Sequence, residues 1–190
     1  MLKLARLHYE KNWFSALFNM MKRVLVDKES GQPVMSMRQT WKNAYLIYSD
    51  PHFSNLILEA RFLTKPAFEW DFFEAGKEAA FGHMKAHMMR SIIMFGGEVV
   101  TITKPDGSPL ILVEQSSSAL KRFADEMMDV LYNPTHTYAI KEPSGKQIGA
   151  IAIRHSIWKS TYDLMMEGGT EKEKQAALIA FAHLLISLKN

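Results

Sequence analysis

Two short stretches carry the side chains best suited to chemistry. His83 and His87, in "GHMKAHMM", stand four residues apart, which puts both imidazoles on one face of a helix or of a strand. Such a pair ligates zinc when a third donor joins it, and Glu78 is the nearest candidate. Met84, Met88 and Met89 around the pair fit a β-strand with structural or exposed histidines, so neither a metal nor any other cofactor is expected. The second stretch, "IRHSIWKS", sets Arg154, His155, Trp158 and Lys159 together. Cations beside an indole suit the phosphate of a lipid head group or of a nucleic-acid backbone. The plainer reading is a strand end with solvated charges. Elsewhere there is no Gly-x-Ser-x-Gly elbow, phosphate-binding glycine loop, dinucleotide fingerprint or His-Glu-x-x-His pair. Zero cysteines exclude thiolate ligands, a thiol nucleophile and a disulfide framework. Asp71 and Glu74, near a turn, read as solvated carboxylates. The residues point to a protein that binds, not to an enzyme.

Charge is unevenly placed along the 190 residues, whose net charge is +3. Residues 1–23 form a basic amphipathic N-terminal segment with Lys3, Arg6, Lys11, Lys22 and Arg23 against Glu10 alone. Trp13, Phe14, Leu17, Phe18, Met20 and Met21 are interleaved with these cations, a pattern suited to an anionic membrane surface. A first strand or helix packed on the core, with ordinary solvated lysines, is the alternative. Lys3, Arg6 and Lys11 therefore join Arg154, His155, Trp158 and Lys159 as candidate head-group contacts. The rest of the chain is close to neutral, so no nucleic-acid partner is expected. No window reaches the roughly 20 apolar residues of a transmembrane span, and no secretory h-region is present. The expected location is cytoplasmic, with peripheral attachment at the inner membrane face.

The elements that would position these residues are mostly β. "VLVDKESGQPVMSM", "VTITKPDGSPLILV" and "YAIKEPSGKQIGAIAI" each run from a β-prone segment through a glycine into a second such segment, and "WDFFEAGKEAAFGHM" is a looser copy. Ser-Gly, Asp-Gly and Ala-Gly between such runs are hairpin signals. Pro33 and Pro109 sit where the first residue of a strand tolerates a missing N–H. Further strands are predicted at 44–48, 56–62, 91–95 and 160–166. Residues 118–133 have helical spacing and read as one additional surface helix. Irregular repeat spacing argues against a solenoid or propeller, and no linker divides the chain, so one domain over 1–190 is expected.

The C-terminal stretch decides the architecture. Thr170 and Glu173 have capping-box spacing, predicting a central helix over 171–188. Leu178, Phe181, Leu184, Leu185 and Leu188, with Ile179 and Ile186, cover well over half its circumference. A helix apolar nearly all round must be enclosed. Its apolar part is too short to span a bilayer, and His183 suits a protein interior better than hydrocarbon.

Gly-turn hairpins followed by an apolar terminal helix resemble the tubby-like superfamily, which includes phospholipid scramblases, LURP-one-related proteins and tubby C-terminal domains. The likeness is strongest to scramblases, in "YAIKEPSGKQIGAIAIRH", "STYDLMM" and "AALIAFAHLLISL" near the C-terminus, and in the two earlier hairpins. It covers roughly residue 24 to the C-terminus, with 41–65 and 116–134 poorly matched. The resemblance implies a closed antiparallel β-barrel enclosing the hydrophobic C-terminal helix, and a membrane-associated role. After the last hairpin, Asp163, Glu167, Glu171 and Glu173 are interrupted by lysines and lack the spaced oxygens of a Ca²⁺ loop. A scramblase-like, lipid-binding member is thus expected, with anionic phospholipids as partner. The alternative is a soluble protein-interaction or scaffold barrel with no lipid role, its protein partner unknown.

Overall fold

Alternation of apolar and polar side chains, interrupted by glycine turns, shapes the structure. The computed structural model describes residues 6–12, 22–40, 44–63, 68–86, 100–115, 135–155 and 159–187. Twelve strands are β1 (Arg6–Asn12), β2 (Lys22–Asp27), β3 (Pro33–Gln39), β4 (Tyr45–Tyr48), β5 (Leu56–Phe62) and β6 (Phe68–Glu74), then β7 (Gly82–Ala86), β8 (Val100–Thr103), β9 (Pro109–Gln115), β10 (Thr135–Lys141), β11 (Gln147–His155) and β12 (Lys159–Met166). A helix, α1 (Glu171–Ser187), follows. Each strand pairs with its neighbours in sequence, and β12 pairs back onto β1, closing an antiparallel barrel. Closure removes the unpaired edges that an open sheet would expose.

The four predicted hairpins are β2–β3, β6–β7, β8–β9 and β10–β11. Gly107 and Gly145 turn with φ of +82° and +87°, a conformation a side chain would strain, and Gly31 and Gly76 do the same in the other two. Pro33 and Pro109 are the first residues of β3 and β9, as expected. Val100 and Ile102 face the core, as do Gly149, Ile151 and Ile153. Register shifts at Leu25/Val26, Ile47/Tyr48, Ile102/Thr103 and Ile140/Lys141 lie beside the turns. Such bulges add the local twist and bend that closure demands. The strand expected at 91–95 and the surface helix expected at 118–133 lie outside the described residues.

The N-terminal segment contributes a strand. β1 inserts between β12 and β2, with Arg6 opposite Met165 and Asn12 opposite Lys159. Leu7 points into the core, whereas His8 lies on the outer face beside Asp163.

A barrel of twelve strands is too wide for its own side chains to fill. α1 fills it. Every residue from Ala176 to Leu185 is buried, so all sides of those turns meet protein. The capping box forms as expected: the Thr170 N–H donates to Glu173 Oε2 at 2.6 Å, and the Glu173 N–H lies 3.4 Å from Thr170 Oγ1. His183 meets Trp70 edge-on at 4.8 Å between ring centroids and Tyr45 at 6.4 Å. Of the expected core helix residues, Leu178, Phe181, Leu184 and Leu185 are buried, and Leu188 lies outside the described residues.

The helix enters at the end of the barrel where the glycine turns lie. There Lys172 pairs with Glu74, which also holds Lys77. The helix then runs towards the opposite end, where β1, β3 and β11 finish and β2 and β12 begin.

Candidate functional site

At that far end the strand termini form a rim carrying several of the expected cations. Asn12 closes β1 opposite Lys159, which opens β12, and His155 at the end of β11 lies opposite Ser160. One register step inward, Arg154 is exposed and opposite Thr161. Lys11 is in the same part of β1, opposite Ser160. The fold therefore gathers Lys11, Arg154, His155 and Lys159; the side chains of Lys11 and His155 are outside the described set. Lys3 and Trp158 lie outside the described residues altogether. Arg6 departs from the expected group. Its register against Met165 puts it at the turn end, where it pairs with Glu29 at 3.4 Å.

Neighbouring carboxylates already engage part of this charge. Lys159 pairs with Glu10. On the rim beyond β1, however, Lys22 and Arg38 stand directly opposite each other on β2 and β3, both exposed. Among the described residues neither has a carboxylate partner, and the Lys22 ammonium sits 5.4 Å from the centre of the Phe53 ring. Like charges directly opposed across two strands are unfavourable by themselves. An anion laid across them relieves that repulsion.

Inside the same end lies a charge that sequence reasoning missed. Arg23 shares its parity with Leu25, so both point into the barrel, and Arg23 is only 5% exposed. Its guanidinium hydrogen-bonds the hydroxyl of Tyr9, and the rings of Tyr162 and Tyr45 also lie within its field. Tyr9 and Tyr162 are neighbours at 6.0 Å between centroids. Nη1 of Arg23 is buried without a hydrogen-bond partner. Burial pulls the guanidinium below its usual range, and the three phenols only partly oppose that. Burial likewise pushes the hydroxyls of Tyr9 and Tyr162 up, so both stay protonated at neutral pH. The signal available in the sequence was the spacing of Arg23 from Leu25. Val24 and Val26 are equally apolar, so the inward parity of β2 was hidden.

The carboxylates behave differently from the sequence expectation. Glu74 is held by Lys172 and Lys77, whose hydrogen bonds bring it to about 2. Asp71 accepts from His83 Nδ1 at 3.0 Å, and His83 Nε2 lies 3.8 Å from Glu69. His83 is thus tied to carboxylates on the outer face of β6 and β7, and His87 lies outside the described residues. Among the described residues no group of three or more His, Asp and Glu side chains is arranged to hold a metal. Asp163 is buried on the outer face between His8 Nδ1 at 2.6 Å and Lys28 Nζ at 2.7 Å. Burial alone would raise its pKa, but these two bonds outweigh it and hold the carboxyl below its ordinary value.

No helix among the described residues is long and apolar enough to cross a membrane. No protein-family model and no curated protein matches the chain.

Proposed function

We propose that this chain is a non-catalytic, scramblase-like and tubby-like barrel that docks peripherally on membranes through anionic lipid head groups. The observation that carries the reading is the exposed Lys22–Arg38 pair, opposed across β2 and β3 with no carboxylate partner among the described residues. Arg154 and Lys159 add cations to the same rim. A closed barrel around an apolar helix is the architecture that the sequence resemblance implies, and it supports the same reading. The helix itself is not the membrane contact, because its apolar faces are spent inside the barrel.

The pairing of Lys159 with Glu10 and of Arg6 with Glu29 favours a second reading, a protein-interaction barrel whose surface charge is internally balanced. Vesicle flotation separates the two. Under the lipid reading the chain floats with vesicles containing phosphatidylserine or phosphatidic acid at low salt and stays down with phosphatidylcholine alone. A chain that stays down with every vesicle at low salt, where charge attraction is strongest, refutes it.

A further inference from the structure

A buried cation normally has an anion beside it, because removing a charge from water is costly unless it is paired. Arg23 breaks that rule. It is nine-tenths buried, its Nη1 has no hydrogen-bond partner, and its surroundings are phenols. No carboxylate among the described residues forms an ion pair with it. Yet the chain is well able to neutralise charge: Asp163, equally buried, has both a lysine and a histidine within 2.7 Å. A buried guanidinium with no carboxylate partner among the described residues marks a place where the counter-charge comes from outside.

We propose that the far end of the barrel interior binds a phosphate group, with Arg23 as its counter-charge and Tyr9, Tyr45 and Tyr162 as flanking hydroxyls. Arg23 is the second residue of β2, so it sits close to the rim and away from the middle of the core. The phenols come from β1, β4 and β12 and so approach from both sides of β2 around the barrel. Donors converging from several directions suit a tetrahedral oxyanion, whereas a planar carboxylate needs only two in one plane. The guanidinium presents a fork of donors matched to phosphate oxygens. Tyr9 accepts from Arg23 and keeps its own proton to donate, and its raised pKa ensures that proton is present at neutral pH. Beyond the phenols, Trp70 stacks on Tyr45 at 6.0 Å and packs on His183, giving the site an aromatic wall. This interior site is separate from the outer Lys22–Arg38 pair. Its phosphate belongs either to a soluble ion or ester, or to a lipid head group.

The full chain is tested against inorganic phosphate, glycerol 3-phosphate and vesicles containing phosphatidic acid, by calorimetric titration, thermal melting and flotation. Wild type is expected to bind a phosphate species saturably and to melt higher in its presence. Arg23→Met is expected to weaken that binding about tenfold or more, the worth of a charge-assisted hydrogen bond. Tyr9→Phe removes one hydroxyl at nearly constant volume and is expected to weaken it about fivefold, which keeps the test valid if Arg23→Met misfolds. Binding of the soluble forms identifies a free phosphate ligand; Arg23-dependent binding of vesicles alone identifies a head group. No binding of any form at low salt overturns the proposal, as does binding unchanged in both variants. Failure here is distinct from failure of the membrane reading: vesicle binding that persists in Arg23→Met, with no Arg23-dependent binding of soluble phosphate, refutes only the interior site. Arg23-dependent binding of soluble phosphate without vesicle binding refutes only the membrane reading.

Discussion

Leu185 lies near the C-terminal end of the enclosed helix and is 3% exposed, so almost all of its side chain has left water. Truncation to alanine removes three carbons that surrounding strands cannot refill, at a cost of about 2–5 kcal/mol. Leu185→Asp adds a charge with no partner to the same lost packing, and an uncompensated buried charge costs several kcal/mol more. A domain of this size is typically stable by about 5–15 kcal/mol, so the aspartate variant removes most or all of the available stability. Urea unfolding followed by far-ultraviolet circular dichroism reads both. The alanine variant should shift its midpoint down with an unchanged slope, and the aspartate variant should be largely unfolded without urea. A helix lying on the outside of the barrel gives a different result: surface substitutions change stability by roughly 0.5 kcal/mol or less. An alanine variant within that range, or an aspartate variant with the wild-type midpoint, refutes the enclosed helix.

The barrel wall offers a second test. A Cβ on Gly149 would meet the Met165 carbonyl oxygen at 2.5 Å and Met166 Sδ at 2.7 Å. Because the backbone oxygen cannot move without disturbing the β11–β12 ladder, Gly149→Ala should cost about 1–3 kcal/mol in a urea titration. Gly168→Ala, whose added Cβ would meet Ile148 Cγ2 at an ordinary 3.8 Å, should be nearly neutral and serves as its control. Acid should unlatch the helix entrance. Glu74 titrates at about 2 in the fold against an ordinary value of 4.5, so its ion pairs stabilise fully above about pH 4.5, and that contribution is lost as pH falls towards 2. Lys172→Met should flatten the stability–pH curve across that interval, as measured by denaturation at stepped pH; an unchanged slope would contradict the latch.

Local signals made much of the fold legible. The glycine turns sit between β-prone runs only a few residues away, so four hairpins and the strands at Tyr45–Tyr48 and Leu56–Phe62 follow from short-range chemistry. The helix was legible from its apolar circumference, which leaves no face for water. β1 was harder, because a seven-residue segment with five charged or polar side chains (Arg6, His8, Glu10, Lys11 and Asn12) is a strand only once β12 pairs with it. The His8–Asp163 contact spans 155 positions of sequence, beyond any local pattern. The Lys22–Arg38 pair was hidden for a different reason. The register shift at Leu25/Val26 moves every later partner by one residue, and a one-residue slip exchanges the faces of a strand. Counting back from the turn without that bulge sets Lys22 against Met37, and the opposed cations vanish.

Charge reversal on the outer rim bears most directly on the membrane reading. Wild type and the double variant Lys22→Glu/Arg38→Glu are floated side by side with phosphatidylserine vesicles across a salt series. Neither residue is buried, so the variant should keep its fold, verified by its melting curve. Wild type should float at low salt and progressively lose the vesicles as ionic strength approaches about 0.15 M, where charges more than about 8 Å apart are screened. The variant should stay down throughout. A wild-type chain that never floats, or a folded double variant that floats equally well, contradicts it.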